Sequence, residues 1–318
     1  MNSIIIIFFL SYGLYSFFNN FKFWMIYMIF ISIYYFIIKK NESNHKNINV
    51  SNKINHSAWS NIHEPDTYTS IKLDITKIIP YLKKKSEEIK ENITPTIFTI
   101  KLMSIVLKKY PEVYGYIKFG IYEPKEGVDI CCIVQVGDGN ELANCTIQNC
   151  ETKNFKQITK ELNDSVKILR ARKNKDQNVK MTMFKFVPTF LTGPITQIVG
   201  YLSSIGIKVK AIGLRKFEFG SFVITSIGGL GIENSYAPIP PFTFAPLLLT
   251  LCKKYNVNKK TEDNTIETKT YLKMNFTADF RFFNPKNATS IFKDIYLYGE
   301  NPELFESECK KYEDIQHK

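Results

Sequence analysis

Two apolar runs near the amino terminus constrain this chain more than any other feature. Residues 4–18 and 23–38 consist almost wholly of Ile, Phe, Leu, Met and Tyr, and Asn19-Asn20-Phe21-Lys22 separates them. A membrane-spanning helix needs about 20 apolar residues, with about 17 as the lower limit, so each run is short but usable. Aromatic residues at both edges suit a membrane–water interface. No basic residue precedes Ile4 and no small-residue cleavage site follows, which argues against a signal peptide. Nor does a polar face mark either run as an ordinary core helix. Residues 1–40 therefore read as a transmembrane hairpin of two short spans, or as a single anchor over 23–38. Lys39 and Lys40 follow directly, and the positive-inside rule then places the rest of the chain on the cytosolic side of a membrane whose organelle stays open.

Past this point the chain must build a core. Hydrophobic residues make up 44% of its 318 residues and aromatics 14%, which excludes disordered, collagen-like and mucin-like classes. Lys+Arg 42 against Asp+Glu 30 gives a formal charge of +12. The lysines are dispersed, often beside asparagine, so they read as a solvated surface, and a nucleic-acid partner is not expected. The six cysteines, Cys131, Cys132, Cys145, Cys150, Cys252 and Cys309, form no CxxC pair and have no histidine at zinc-finger spacing. They read as reduced thiols in a reducing compartment, Cys131 and Cys132 packing as small hydrophobes in an apolar run, and no metal is expected.

Residues 41–64, rich in Asn, Ser, Lys and His, read as a flexible polar tether that carries His45 and His56. From residue 65 the pattern turns globular. Alternation predicts a strand over 67–74, with Asp74 capping a helix to about Lys90. Thr94-Pro95-Thr96 opens a second helix that ends before Pro111. Strands are expected over 114–121, 128–136 and 141–149, with a turn at Gly137-Asp138-Gly139. A helix over 156–173, another over 181–204, strands near 208–213, 218–225 and 244–251, and a strand–helix pair over 270–298 complete an α/β arrangement of mixed strand directions. Residues 306–318 read as a charged tail.

Several segments occur in an order that carries more information than any one of them. They are Asp74-Ile75-Thr76, Thr94-Pro95-Thr96 leading into Ile100-Lys101-Leu102, Tyr110-Pro111-Glu112-Val113, Val128-Asp129-Ile130 and the basic helix over 160–172. Gly220-Ser221-Phe222-Val223-Ile224-Thr225-Ser226, Ala237-Pro238-Ile239 and Asp279-Phe280-Arg281-Phe282-Phe283-Asn284 follow. Together, over about 65–305, they resemble the catalytic domain of the dihydrolipoyl acyltransferase component of 2-oxo acid dehydrogenase complexes. The resemblance implies a two-layer α/β sandwich of the chloramphenicol acetyltransferase type with a mixed sheet. It also implies a homotrimer whose active sites form between subunits, and coenzyme A or an acyl-CoA as substrate. The family's lipoyl and partner-binding domains have no counterpart here, so no lipoyl group is expected on this chain.

The family transfers an acyl group between two thiols, and a thiol of pKa about 8.5 needs a base to become a thiolate. The resemblance implies that this base is a histidine inside Asp-His-Arg-x-x-Asp/Asn-Gly, and that a neighbouring subunit's Ser or Thr hydroxyl bonds the oxyanion. Asp279 and Arg281 match the flanks, Asn284 the later polar position and Thr225 the hydroxyl. Phe280 occupies the histidine position and Pro285 the glycine. None of His45, His56, His63 and His317 lies in the matched segments. Other readings stand beside these: Thr225 as a β-branched strand residue, Asp279 and Arg281 as a loop-shaping ion pair, Cys252 as a buried core thiol. Gly228-Gly229-Leu230-Gly231 can be a plain turn, and Arg170-Ala171-Arg172-Lys173 a helix end. The functional expectation is a membrane-anchored acyltransferase relative that binds an acyl thioester but has lost its base. The alternatives are an acyltransferase working without the usual histidine, or a structural membrane protein that keeps only the fold.

Overall fold

The computed structural model describes residues 12–14, 17, 21–44, 66–118, 121–136, 141–171, 174–260, 265–283 and 285–314. The second apolar run forms helix α1, Phe21–Asn44. The described residues of the first run fold back along it. Tyr12 lies edge-on to Tyr27 with ring centroids 5.9 Å apart, and Phe17 edge-on to Trp24 at 5.2 Å. At Gly13 a Cβ would lie 2.7 Å from the Tyr27 ring. The antiparallel arrangement is thus present, but the expected spanning helices are not supported. No helix among the described residues is long and apolar enough to cross a membrane. Length accounts for this. The apolar part of α1, residues 23–38, rises roughly 24 Å, against a hydrocarbon layer of about 30 Å. The tether expected from residue 41 begins as helix, up to Asn44, and residues 45–64 lie outside the described residues.

Strand β1, Asp66–Asp74, buries Ile71 and Leu73. Asp74 holds a turn rather than a helix cap, accepting from the Thr76 N–H at 3.0 Å and the Thr76 hydroxyl at 2.6 Å. Helix α2, Ile78–Ile89, follows and ends on Lys90 in the left-handed region. Helix α3, Pro95–Lys108, opens as its sequence predicts: Thr94 Oγ1 accepts from the Ile97 N–H at 3.3 Å and proline fills the first turn. The strand expected over 114–121 is instead a small hairpin of β2, Tyr116–Lys118, and β3, Ile121–Glu123. Strands β4, Ile130–Val136, and β5, Glu141–Ile147, pair antiparallel, and the Gly137–Gly139 turn between them lies outside the described residues. Helix α4, Phe155–Arg170, starts in a capping box of Asn154 and Gln157 and buries Phe155, Ile158, Leu162 and Leu169 on one face.

The single helix expected over 181–204 is two, α5, Lys175–Phe186, and α6, Thr189–Ser204. Pro188 breaks it, because proline pushes the residue before it out of the helical region. The strand expected over 208–213 shrinks to one bridge, Val209 to Leu214, around a short turn ending on Gly213 at φ 68°. Strands β6, Phe222–Ser226, β7, Leu247–Leu251, β8, Tyr255–Lys260, and β9, Ile266–Asp279, are followed by helices α7, Pro285–Glu300, and α8, Pro302–Glu313.

The sheet runs β1-β9-β7-β6-β4-β5, with β8 also pairing β9. The pairs β4–β6 and β6–β7 are parallel, and the others antiparallel. One face carries the main core, where Phe222, Ile224, Leu249 and Phe276 meet Leu102 of α3, Leu162 of α4, Ile295 of α7 and Phe305 of α8. The other face has only a small cluster, in which Ile239 and Ala245 cover Cys131, Val223 and Leu248. This is the expected two-layer mixed α/β sandwich.

The expected charged tail from 306 is corrected by α8. Phe305 is fully buried, with its ring 5.3 Å from that of Phe98 and 6.0 Å from that of Phe155. Lys101, also fully buried, donates to Glu151 O at 3.0 Å and Lys153 O at 2.7 Å, and pairs with Glu313 at 2.9 Å. The charges of α8 lie on one side of an amphipathic helix, and the domain therefore extends at least to Glu313.

Candidate functional site

The site segment begins where β9 runs out. The Asp279 N–H donates to Pro246 O at 3.0 Å, which ties the strand's end to the start of β7. The carboxylate then folds the next turn around itself. It accepts from the Arg281 backbone N–H at 2.9 Å, from Nε at 3.0 Å and from Nη2 at 2.6 Å. This two-pronged pairing raises the Arg281 guanidinium above its ordinary value. Asp279 O also accepts the Phe282 and Phe283 N–H groups, and both rings turn inward and are buried. One side chain of the segment cannot follow them. Phe280 points outward, 59% exposed, at the position where the resemblance puts the base. Phenylalanine accepts no proton at any pH. Asn284 lies outside the described residues.

Thr225 sits on β6 in register with Ile133 of β4 and Thr250 of β7. The turn after it, Gly228–Leu230, comes so close to the chain just past the end of β7 that a Cβ on Gly228 would lie 2.8 Å from Cys252 O. A Cβ on Gly229 or Gly231 would meet nothing within 4 Å, as suits an exposed turn. A buried network holds the approach to β6. Glu218 pairs with Lys180 and, at 3.5 Å, with Arg215, and accepts from Asn144 Nδ2 at 3.0 Å. Its backbone N–H donates to Ser203 Oγ of α6 at 3.1 Å.

Within one chain the structure does not bring Thr225 and Phe280 together. Thr225 is aligned with Thr250, whereas Asp279 is bonded at Pro246, and the two belong to strands on opposite sides of β7. At about 3.3 Å per residue and 4.8 Å per strand, the backbones of Thr225 and Asp279 stand roughly 16 Å apart. Thr225 and Phe280 also face opposite ways. Thr225 shares the sparsely covered face with Val223, Leu248 and Thr250, while Phe280 stands on the helix side with Phe276 and Ala278.

Two features were not singled out in the sequence. Asp66 pairs with Asp279 in the β1–β9 register and accepts from the Ile239 N–H at 3.3 Å; burial pushes its carboxyl above the ordinary range. Thr67 and Thr69 on the same strand, with Phe280, Phe276 and Ile291, border a cavity of about 200 Å³ beside α7. Only the pairing of residues 66–74 with 271–279 could have revealed either, and that pairing spans the whole domain. The cysteines are free and buried, and burial raises the Cys131 thiol to about 12. Cys252 packs against Asn275, whose Nδ2 donates to its Sγ at 3.5 Å. No group of described residues could hold a metal ion, and all four histidines lie outside the described residues.

The sequence model of the family described as 2-oxoacid dehydrogenases acyltransferase (catalytic domain) matches residues 48–186, which stops short of Thr225 and of the 279–284 segment. No curated protein matches the chain in sequence. Among solved structures, the cubic core of the pyruvate dehydrogenase multienzyme complex is 15% identical, with 80% of this chain and 87% of that chain covered and a TM-score of 0.56. The Azotobacter vinelandii dihydrolipoamide acetyltransferase, solved to examine one serine, one histidine and one asparagine in its mechanism, matches over the same shares at 15% identity and 0.55. A catalytic core of the 2-oxoacid dehydrogenase complex from Thermoplasma acidophilum is 17% identical over 79% of this chain and 92% of its own, at 0.52. At such identities the likeness is one of fold. This chain is thus similar over residues 48–186 to the acyltransferase catalytic domain of 2-oxoacid dehydrogenases, and across most of its length it has the fold of dihydrolipoamide acetyltransferase cores.

Proposed function

We propose that this protein binds a coenzyme A-type acyl thioester in an acyltransferase fold whose general base has been lost. The observation that carries the reading is the turn after β9, where the Asp279–Arg281 pair is intact and an exposed phenylalanine stands between them. In this reading Thr225 takes the place of the oxyanion hydroxyl, Phe280 that of the histidine and Asn284 that of the later polar residue, as the order of the sequence segments implies. A hydroxyl for the oxyanion remains and the imidazole does not. General-base catalysis contributes about 10²–10⁴-fold, so transfer by this chain falls to near background while ligand binding persists. The separation of Thr225 from Phe280 in one chain favours a homotrimer in which each site is shared between two protomers. Residues 1–40 hold the assembly at a membrane by their apolar side chains, with the folded domain on the cytosolic side.

The test is acetyl transfer from acetyl-CoA to dihydrolipoamide by the full chain and by Phe280→His, with coenzyme A binding measured on both. The expected result is binding by both proteins and a rate raised about 10²–10⁴-fold by the substitution. A wild-type rate well above background that Phe280→His leaves unchanged would refute the lost base. Absence of coenzyme A binding would leave a fold kept without its ligand.

A further inference from the structure

The cavity beside Phe280 has no role in the reading above. It lies between the β1–β9 pair and the amino-terminal half of α7, with Leu247, Phe276, Phe283, Ile291 and Phe292 for walls and the exposed Phe280 at its edge. Among the described residues no charged side chain lines it. Of its two hydroxyl groups, that of Thr67 already donates to Ala278 O at 3.2 Å. A buried water needs two to four polar partners, and this lining offers too few to hold one well. A cavity of about 150 Å³ lined by Leu, Ile and Phe stays dry and takes up benzene, and this one, at about 200 Å³, is larger. Its edge is the position where the resemblance places the base that deprotonates the attacking thiol. A phenyl ring there makes the apolar wall continuous to the outside, where an imidazole would have interrupted it with a polar group.

We infer that this cavity binds the hydrocarbon chain of a medium-length acyl thioester, which enters over the Phe280 ring and lies between β9 and α7. The inference rests on the acyl-thioester reading for the head of the ligand and on the cavity alone for its chain. Lengthening the acyl group then tightens binding until the cavity is full, by roughly fourfold for each methylene buried. Ala288 of α7 lines the cavity, and a larger side chain there occupies the same space.

The experiment is calorimetric titration of the full chain in lipid nanodiscs, with empty nanodiscs as reference, using coenzyme A, acetyl-CoA, octanoyl-CoA and free octanoate. Octanoyl-CoA is expected to bind at least tenfold tighter than acetyl-CoA. Ala288→Phe, or the milder Ala288→Leu, is expected to erase most of that gain while leaving acetyl-CoA affinity within twofold. Equal affinity for acetyl-CoA and octanoyl-CoA in the wild-type chain overturns the inference without any variant, while leaving the thioester reading standing. Octanoate binding that Ala288→Phe abolishes, with no binding of coenzyme A or acetyl-CoA, keeps the chain site and removes the thioester reading. A chain-length gain that survives both substitutions places the hydrocarbon elsewhere and overturns the inference.

Discussion

At the scale of single residues, two carboxylates fix the backbone on which the site depends. Asp279 gathers the Arg281 backbone and guanidinium into one turn, and that turn is what leaves Phe280 facing out. Asp279→Asn weakens the charge-assisted hydrogen bonds and is expected to cost on the order of 2 kcal/mol in chemical denaturation. A loss below a few tenths would mean that the turn is held by its strand alone. Glu218 does the same for the approach to Thr225. Burial by itself would raise its carboxyl, but Lys180 and Arg215 outweigh burial and hold it below the ordinary glutamate value. A carboxylate depressed in the folded state lends stability above its unfolded value of about 4.3, and that stability is lost as pH falls through the folded value. Urea titrations at pH 7, 4 and 3 should therefore show stability falling on acidification, with a flatter profile for Glu218→Gln; parallel profiles would remove Glu218 from the account. The Asp279-Phe280-Arg281 turn was legible in the sequence because its contacts are two residues apart. The Glu218 network was not, because it joins residues from β5, α5 and the loop before β6.

Secondary-structure elements were legible where local rules decide them. Thr94-Pro95 announces α3, and that helix begins where those residues stand, whereas α4, expected from 156, starts at Phe155 on a capping box not singled out in the sequence. The break at Pro188 was also written in the sequence, in a residue that disfavours helix just before it, but the apolar run on either side masked it. Helix α8 is the reverse case. Its lysines and glutamates read as solvated, and only the tertiary structure reveals that Phe305 and Cys309 face inward and that Glu313 reaches Lys101. Phe305→Ala removes the ring shared by Phe98 and Phe155 and is expected to cost about 3–5 kcal/mol, read from urea denaturation. A cost under 1 kcal/mol would return residues 302–313 to the status of an appendage.

For the whole molecule, the decisive fact is that Thr225 and Phe280 lie on opposite faces of one sheet. No inspection of the two segments alone discloses this, since it depends on β7 lying between β6 and β9. If two protomers complete each site, a doubly substituted F280H T225A chain has the base without the hydroxyl, and the unsubstituted chain has the hydroxyl without the base. Neither should transfer acetyl groups well alone, whereas co-expressed and assembled together they should do so at a readily measured rate. Mixed assemblies no more active than either parent would confine the site to a single chain.

The same topology bears on how the protein is made. Among the described residues β1 has a single neighbour in the sheet, β9, and Asp66 is aligned with Asp279, more than two hundred positions further on. At about 5–20 residues per second, a ribosome takes roughly ten to forty seconds to supply that partner. Through that interval the nascent strand waits with an unsatisfied edge, the condition under which strands pair with the wrong chain.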